Sequence, residues 1–179
     1  IFTHCSLKKD NNYHKDKTYK CNDKNIQLLH IWEDWIKNKM DIVKSIILSK
    51  LGIYKERIYA RNCVVKEIDY QKCNKFLISN HIQSKCKSTI KLGLFYNNEL
   101  VSFMTFGKKD ILSGGQKQNN EIVLKRFCNK LYTQVIGGAS KLLKYYIVHY
   151  NPSVIISYSS NDISNGNLYK RLGFIKSME

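Results

Sequence analysis

The sequence predicts a mixed α/β fold of the α+β kind, and three observations carry that prediction. Lys91 to Phe106 (KLGLFYNNELVSFMTF) sets two apolar, aromatic-rich runs on either side of Asn97-Asn98, a β-hairpin pattern because asparagine tolerates the left-handed turn conformation. After Thr133 a Gly137-Gly138 corner leads into a helix whose apolar residues Leu142, Leu143, Tyr146, Ile147 and Tyr150 share one face, and the buried strand Val154 to Tyr158 follows. Antiparallel strands first and a strand–helix–strand unit later give the mixed class. The 179 residues are 43% hydrophobic with a single Pro, enough to bury a core and too apolar for a disordered or fibrous chain.

The remaining elements follow in chain order. Asn25 to Trp32 (NIQLLHIW) is a nearly continuous apolar run of strand length, expected to form a strand buried on both faces, with Glu33 and Asp34 at its end. Ile36, Met40, Val43 and Ile47 then keep helical spacing as far as Leu51, and Gly52 stops the pattern. Tyr59 to Ile68 reads as strand, Tyr70 to Ser79 as helix, and Asn80-His81 as a polar turn. Past the hairpin, Gly114 to Asn120 (GGQKQNN) lacks periodicity and reads as an exposed loop, Ile122 to Phe127 as a further strand, and Leu168 to Leu172 as a short helix ended by Gly173.

Charge narrows the function classes. Thirty Lys and Arg against 14 Asp and Glu leave a net charge of +16, which points to a polyanionic partner, nucleic acid first. The charge is a general coat, +5 over residues 1–57 and +11 over 58–179. Lysine- and asparagine-rich usage of this kind also arises from an AT-rich genome. The six cysteines form no C-x-x-C pair and are too scattered for a zinc ribbon or a secreted disulfide scaffold, so reduced thiols and a cytoplasmic location are expected. No stretch approaches the ~20 apolar residues of a membrane span, and no signal peptide is present in the sequence, so no membrane role is expected.

The most specific chemical signal is Gln134-Val135-Ile136-Gly137-Gly138-Ala139-Ser140, placed between a strand and an amphipathic helix. Glycines there let backbone N–H groups converge at a helix N-terminus, where the helix dipole favours a phosphate. A tight strand-to-helix turn needing positive φ suits the same residues without any ligand. Gln134-x-x-Gly137-x-Ala139 resembles the acyl-CoA pyrophosphate loop of the GNAT acetyltransferase superfamily, and Asn165 to Phe174 (NGNLYKRLGF) is similar to that superfamily's closing motif. The resemblance implies acetyl-CoA or another acyl-CoA held by backbone amides of residues 134–140. It also implies Tyr169 as the acid that protonates the leaving thiolate, although a tyrosine in a short helix equally serves packing.

A narrower likeness runs from Ile58 to Phe174 through IYARNCVVKEI, NHIQ, LGLFYNNELVSFMTFGK, RFCNKL, VIGGASKLLKYY, IISYS and NGNLYKRLGF. This text resembles a GNAT-like domain of phage proteins related to the Mom DNA-modification proteins and found with homing endonucleases. The sequence departs from that pattern at Ser160 and Val123, where acidic residues are expected, and both departures count against Mom-type transfer. Tyr13-His14-Lys15-x-Lys17-Thr18 with NIQLLHIWEDW resembles the back half of the Vsr-type nuclease fold. That likeness implies His14, Glu33 and Asp34 as catalytic residues, with Glu33 or Asp34 on Mg²⁺, because phosphodiester cleavage needs carboxylates to hold the metal. Glu33 and Asp34 also suit a solvated acidic cap on the helix that follows. The family's leading strand, with its catalytic acid, would precede Ile1, so a truncated nuclease-type segment is expected.

Two further groups complete the candidates. His81, in its turn, suits a base, a phosphate ligand or a structural role. Lys125, Arg126, Lys130, Lys141 and Lys144 suit a basic face for DNA phosphates or CoA, or a merely solvated one, and phosphate contacts of this kind carry no sequence specificity. The expected organisation is therefore a partial nuclease segment over 1–57 and a GNAT-like domain over 58–179. The expected function is DNA processing of homing-endonuclease type; the alternatives are an acyl-CoA-dependent N-acyltransferase and a DNA-binding module without catalysis.

Overall fold

The computed structural model describes residues 13–108 and 121–176. Their contacts divide the chain into two compact units, residues 1–31 with 159–179, and residues 32–158. The sequence places residues 32–57 with the first part; here they belong to the second unit. The GGQKQNN stretch lies outside the described residues.

The larger unit opens with α2 (Glu33–Asn38) and α3 (Met40–Lys50), followed by β1 (Glu56–Tyr59), a short 3-10 turn (Ala60–Asn62), β2 (Val64–Glu67) and α4 (Tyr70–Asn80). Then come β3 (Ile90–Tyr96), β4 (Glu99–Lys108), β5 (Glu121–Asn129), β6 (Thr133–Ile136), α5 (Gly138–Tyr150) and β7 (Val154–Ser157). Five strands form one sheet in the order β2-β3-β4-β5-β7, antiparallel except for the parallel β5–β7 pair, while β1 and β6 form a separate parallel pair. The mixed α/β class is therefore the observed one. The hairpin turns at Asn97 and Asn98 with φ of 47° and 62°, the left-handed geometry that a two-residue turn demands.

The two faces of the sheet follow from the alternation of β4. Ser102, Met104 and Phe106 point to one face, where Phe106 stacks on Tyr146 of α5 with ring centroids 3.6 Å apart. Phe103 and Thr105 point to the other, where Phe103 packs with Cys73 and Leu77 of α4, all three fully buried, and Ile68, Phe76, Cys86 and Cys128 close round them. Burying a side chain such as Phe103 or Leu77 is worth about 2–3 kcal/mol, so the two helices are held by their apolar faces. The buried thiols belong to this core: burial pushes Cys73 up to about 11 and raises Cys128 further, so neither ionises near neutrality.

Two expectations are corrected. Asn25 to Trp32 is not a strand: among the described residues it pairs with no strand, Asn25 has φ of 55°, and Ile26 and Trp32 are 55% and 44% exposed. An apolar run makes a buried strand only where neighbours supply ladder partners on both sides, and here none does. The periodic stretch after Ile36 is two helices rather than one. It breaks at Lys39 (φ −142°, ψ 35°), whose ammonium donates to the Ile82 carbonyl and, at 2.9 Å, to the Ser84 hydroxyl, so a distant loop rather than a Gly or Pro ends α2. The Tyr59–Ile68 strand is likewise interrupted, by the turn at Ala60–Asn62.

In the smaller unit, α1 (Tyr13–Asn22) buries no residue, and the segment after it is tied by the His30 amide to the Asp162 carbonyl at 2.8 Å. The unit's other helix, α6 (Asn167–Arg171), starts from Gly166 and ends at Gly173, both with positive φ. Among the described residues no helix is long and apolar enough to cross a membrane.

Candidate functional site

The sequence-predicted cradle is formed where β6 runs into α5. The parallel pairing of β6 with β1 fixes its register, Tyr59 against Ile136, and the chain then turns at Gly137, whose φ of 77° is left-handed and favours glycine. Gly137 is the N-cap of α5 and supplies no side-chain cap, so the first-turn N–H groups of the helix have neither an intrahelical acceptor nor a capping oxygen. Gly138 is buried against β4. A Cβ there would lie 3.0 Å from Val135 Cγ1 and 3.4 Å from the Ser102 hydroxyl oxygen, closer than the packing allows without movement.

The wall beside the cradle is locked by Lys141. Its ammonium donates to the Ala60 carbonyl at 2.9 Å and the Cys63 carbonyl at 2.6 Å, tying the first turns of α5 to the 3-10 turn after β1. Lys141 is thus spent inside the fold rather than on an outward basic face. Lys130 is engaged as well, paired with Glu99 at 2.5 Å, whereas Lys144 is exposed on α5.

A second feature lies in β5. Its first half, Glu121 to Leu124, pairs with β7, and the Ser157 hydroxyl donates to the Leu124 carbonyl at 3.2 Å at the end of that ladder. The register with β4 then jumps from Phe106↔Leu124 to Thr105↔Arg126, leaving Lys125 as the extra residue of a β-bulge. From Lys125 to Asn129 no described strand pairs with β5 on the side away from β4. Residue spacing along the strand holds no sign of this bulge, because a one-residue insertion leaves the character of the strand unchanged.

The other predicted residues are placed as follows. His81 caps the C-terminus of α4; its Nδ1 accepts from the Gln83 amide at 3.1 Å, and burial with the nearby Arg126 and Lys39 charges holds the imidazole down at about 4. Tyr169 closes α6. The Phe174 amide donates to the Tyr169 carbonyl at 3.0 Å across left-handed Gly173, and the two rings meet edge to face with centroids 5.6 Å apart, a Schellman ending with its hydrophobic contact. The Tyr169 backbone and ring hold the turn, and its hydroxyl takes no part in it.

His14 lies on α1 with its ring edge-on to His30 at 5.3 Å, and the Thr18 hydroxyl bridges the His14 carbonyl and His30 Nε2 at 3.0 and 2.7 Å. His30, absent from the sequence candidates, joins this cluster, and burial and His14 lower its pKa. Glu33 and Asp34 sit in the first turn of α2, with Glu33 paired to Lys37 at 2.7 Å, the arrangement of an acidic helix start. Among the described residues no three His, Cys, Asp or Glu side chains converge as a metal-binding group. The strand that would present these carboxylates to Mg²⁺ is not formed.

No family model and no curated protein sequence matches the chain. Solved structures do match. A transcriptional regulator from Bacillus halodurans C-125 aligns at 12% identity and TM-score 0.49, over 65% of this chain and 95% of that one. An aminoglycoside N-acetyltransferase solved in complex with CoA aligns at 11% identity and TM-score 0.47, over 65% and 90%. An integron cassette protein from the mobile metagenome of V. cholerae aligns at 12% identity and TM-score 0.47, over 65% and 87%.

Proposed function

We propose that residues 32–158 hold an acyl-CoA and that the chain is an N-acyltransferase of the acetyltransferase type. The observation that carries this reading is the uncapped start of α5, where Gly137 and Gly138 present backbone in place of side chains. The residues fit a diphosphate: a helix N-terminus offers converging N–H donors and a partial positive charge, and no side chain at Gly137 or Gly138 obstructs them. The similarity of residues 134–140 and 165–174 to the acetyltransferase loop and closing motif agrees with it.

In this reading the amides after Gly137 would hold the diphosphate, and the backbone of β5 after the bulge, which no described strand pairs on the side away from β4, would hold the extended arm of the ligand. Acyl-CoA supplies the activated thioester. By the likeness of its segment to the closing motif alone, Tyr169 would be the residue that supplies a proton to the leaving thiol. Val123, standing where the related pattern has an acid, supplies no base, so deprotonation of the acceptor amine falls to another group.

The test is thermal stabilisation of the full chain by acetyl-CoA. A ligand that binds only the native state raises Tm, by several degrees at a hundredfold excess over Kd. Gly137→Asp should abolish the shift, because a carboxylate would face the diphosphate, at a cost of about 1–2 kcal/mol for left-handed backbone on a non-glycine residue. The space at Gly137 permits the exchange, since a Cβ there meets only Ala60 at 3.7 Å. No shift with the unaltered chain sinks the reading.

A second proposal concerns the partner. The net charge of +16 favours duplex DNA, bound through phosphates as acceptor-bearing substrate or scaffold. Affinity should fall at least tenfold between 50 and 200 mM salt, as several phosphate contacts require. A flat salt response removes DNA from the account.

A further inference from the structure

On the α4 face of the sheet the larger unit gathers cations, and among the described residues no carboxylate acts on its histidine. Arg126 projects to this face, since its register partner is Thr105, which lies with Phe103 on the α4 side. The end of α4 is pinned nearby by the Asn80 side chain, whose oxygen accepts from the Leu131 amide at 2.8 Å just beyond β5. His81 follows, and the charged groups that act on it are Arg126 and Lys39; no carboxylate does so among the described residues.

The donors here are underused. The guanidinium of Arg126 makes one hydrogen bond, from Nη1 to the Lys125 carbonyl at 2.7 Å, and its Nε is buried without a partner among the described residues. His81 Nδ1 accepts from the Gln83 amide, so the neutral ring carries its proton on Nε2, and no described residue accepts it. The side-chain oxygen of Asn74, on α4, is likewise buried without a partner among the described residues. Among the described residues the Lys39 ammonium bonds only to the neutral Ile82 carbonyl and Ser84 hydroxyl. A half-buried guanidinium without a counter-charge among the described residues is costly, and an anion with several acceptor oxygens removes that cost.

We propose that Arg126, His81 and Lys39 form an oxyanion-binding site, for a carboxylate or phosphate group, on the α4 face of β5. Arg126 supplies the forked donor, His81 a neutral N–H, and Lys39 long-range charge. The site lies on the face of the sheet opposite α5, so it stands whether or not the glycine-capped helix takes an acyl-CoA.

The experiment uses the full chain at constant ionic strength, with inorganic phosphate or acetate replacing chloride. The His81 imidazole is followed by NMR while Tm is recorded. Saturable binding should raise the His81 titration midpoint by about one unit or more and Tm by several degrees at a hundredfold excess over Kd. Whichever of phosphate and acetate saturates at lower concentration identifies the group that the site reads. Arg126→Gln should lose both responses, whereas Lys44→Gln, an exposed lysine on α3, should keep them. Should Arg126→Gln fail to fold, Lys39→Gln should weaken the saturating anion at least fivefold. The proposal falls if neither anion saturates, if Arg126→Gln responds like the unaltered chain, or if Lys39→Gln leaves the affinity unchanged.

Discussion

Helices α4 and α5 pack on opposite faces of one sheet and treat their N-termini in opposite ways. α4 is closed by its own sequence: the Asp69 carboxylate accepts from the Lys72 amide at 2.7 Å, which also pulls the Asp69 pKa below the ordinary value. α5 begins on a left-handed glycine with no side chain to cap it, and its next residue, Gly138, lies so close to Val135 that a methyl group there would require the neighbour to give way. A helix start that a carboxylate satisfies is finished structure; one left to glycines is free to satisfy an external anion. The C-terminal ends differ in the reverse sense. α5 ends on left-handed Asn151, whose amide donates to the Ile147 carbonyl at 3.0 Å, while α4 ends at His81 among cations.

The largest expected effect that sharpens this contrast is a pH dependence at the end of α4. The folded chain holds His81 near 4 against 6.5 when free, so on acidification the unfolded chain takes up that proton first. Its contribution to stability is complete above about pH 6.5, declines between about 6.5 and 4, and is level below that. The loss is of order 1–3 kcal/mol. Urea unfolding across this window should show the slope, and His81→Gln should flatten it. A slope equal in the variant would place its origin elsewhere.

The smaller effect is at the other end of the same helix. Asp69→Ala should lower Tm modestly at pH 7 by removing the cap, and leave any stabilisation by acetyl-CoA unchanged, since the cap serves α4 alone. Because the folded carboxyl titrates below its free value of 3.8, the difference between variant and unaltered chain should hold above pH 3.8 and shrink as the carboxyl protonates. Loss of the acetyl-CoA response in Asp69→Ala would mean that the two helix starts are coupled, and the contrast between them would have to be withdrawn.

Much of the architecture was legible in the chain because its signals are local. The Asn97-Asn98 turn, the Gly137-Gly138 corner and the Gly173 helix end each require a residue type at one position, and each stands where that residue type predicts. The cradle was legible for the same reason. The nuclease-like strand was not, because NIQLLHIW supplies apolarity but no ladder partner, and partners are a property of the sheet.

By itself, then, the sequence determined the mixed class, the hairpin, the helices that cover the sheet and the backbone-only start of α5, all through short-range sterics and periodicity. Only the tertiary structure decided that Lys141 would be consumed by two carbonyls, that Lys39 would break a continuous helical pattern, that β5 would bulge at Lys125, and that Arg126, His81 and Lys39 would meet with no acid among the described residues acting on His81. Those outcomes depend on which long side chain finds which distant backbone group. No window of adjacent residues carries that information.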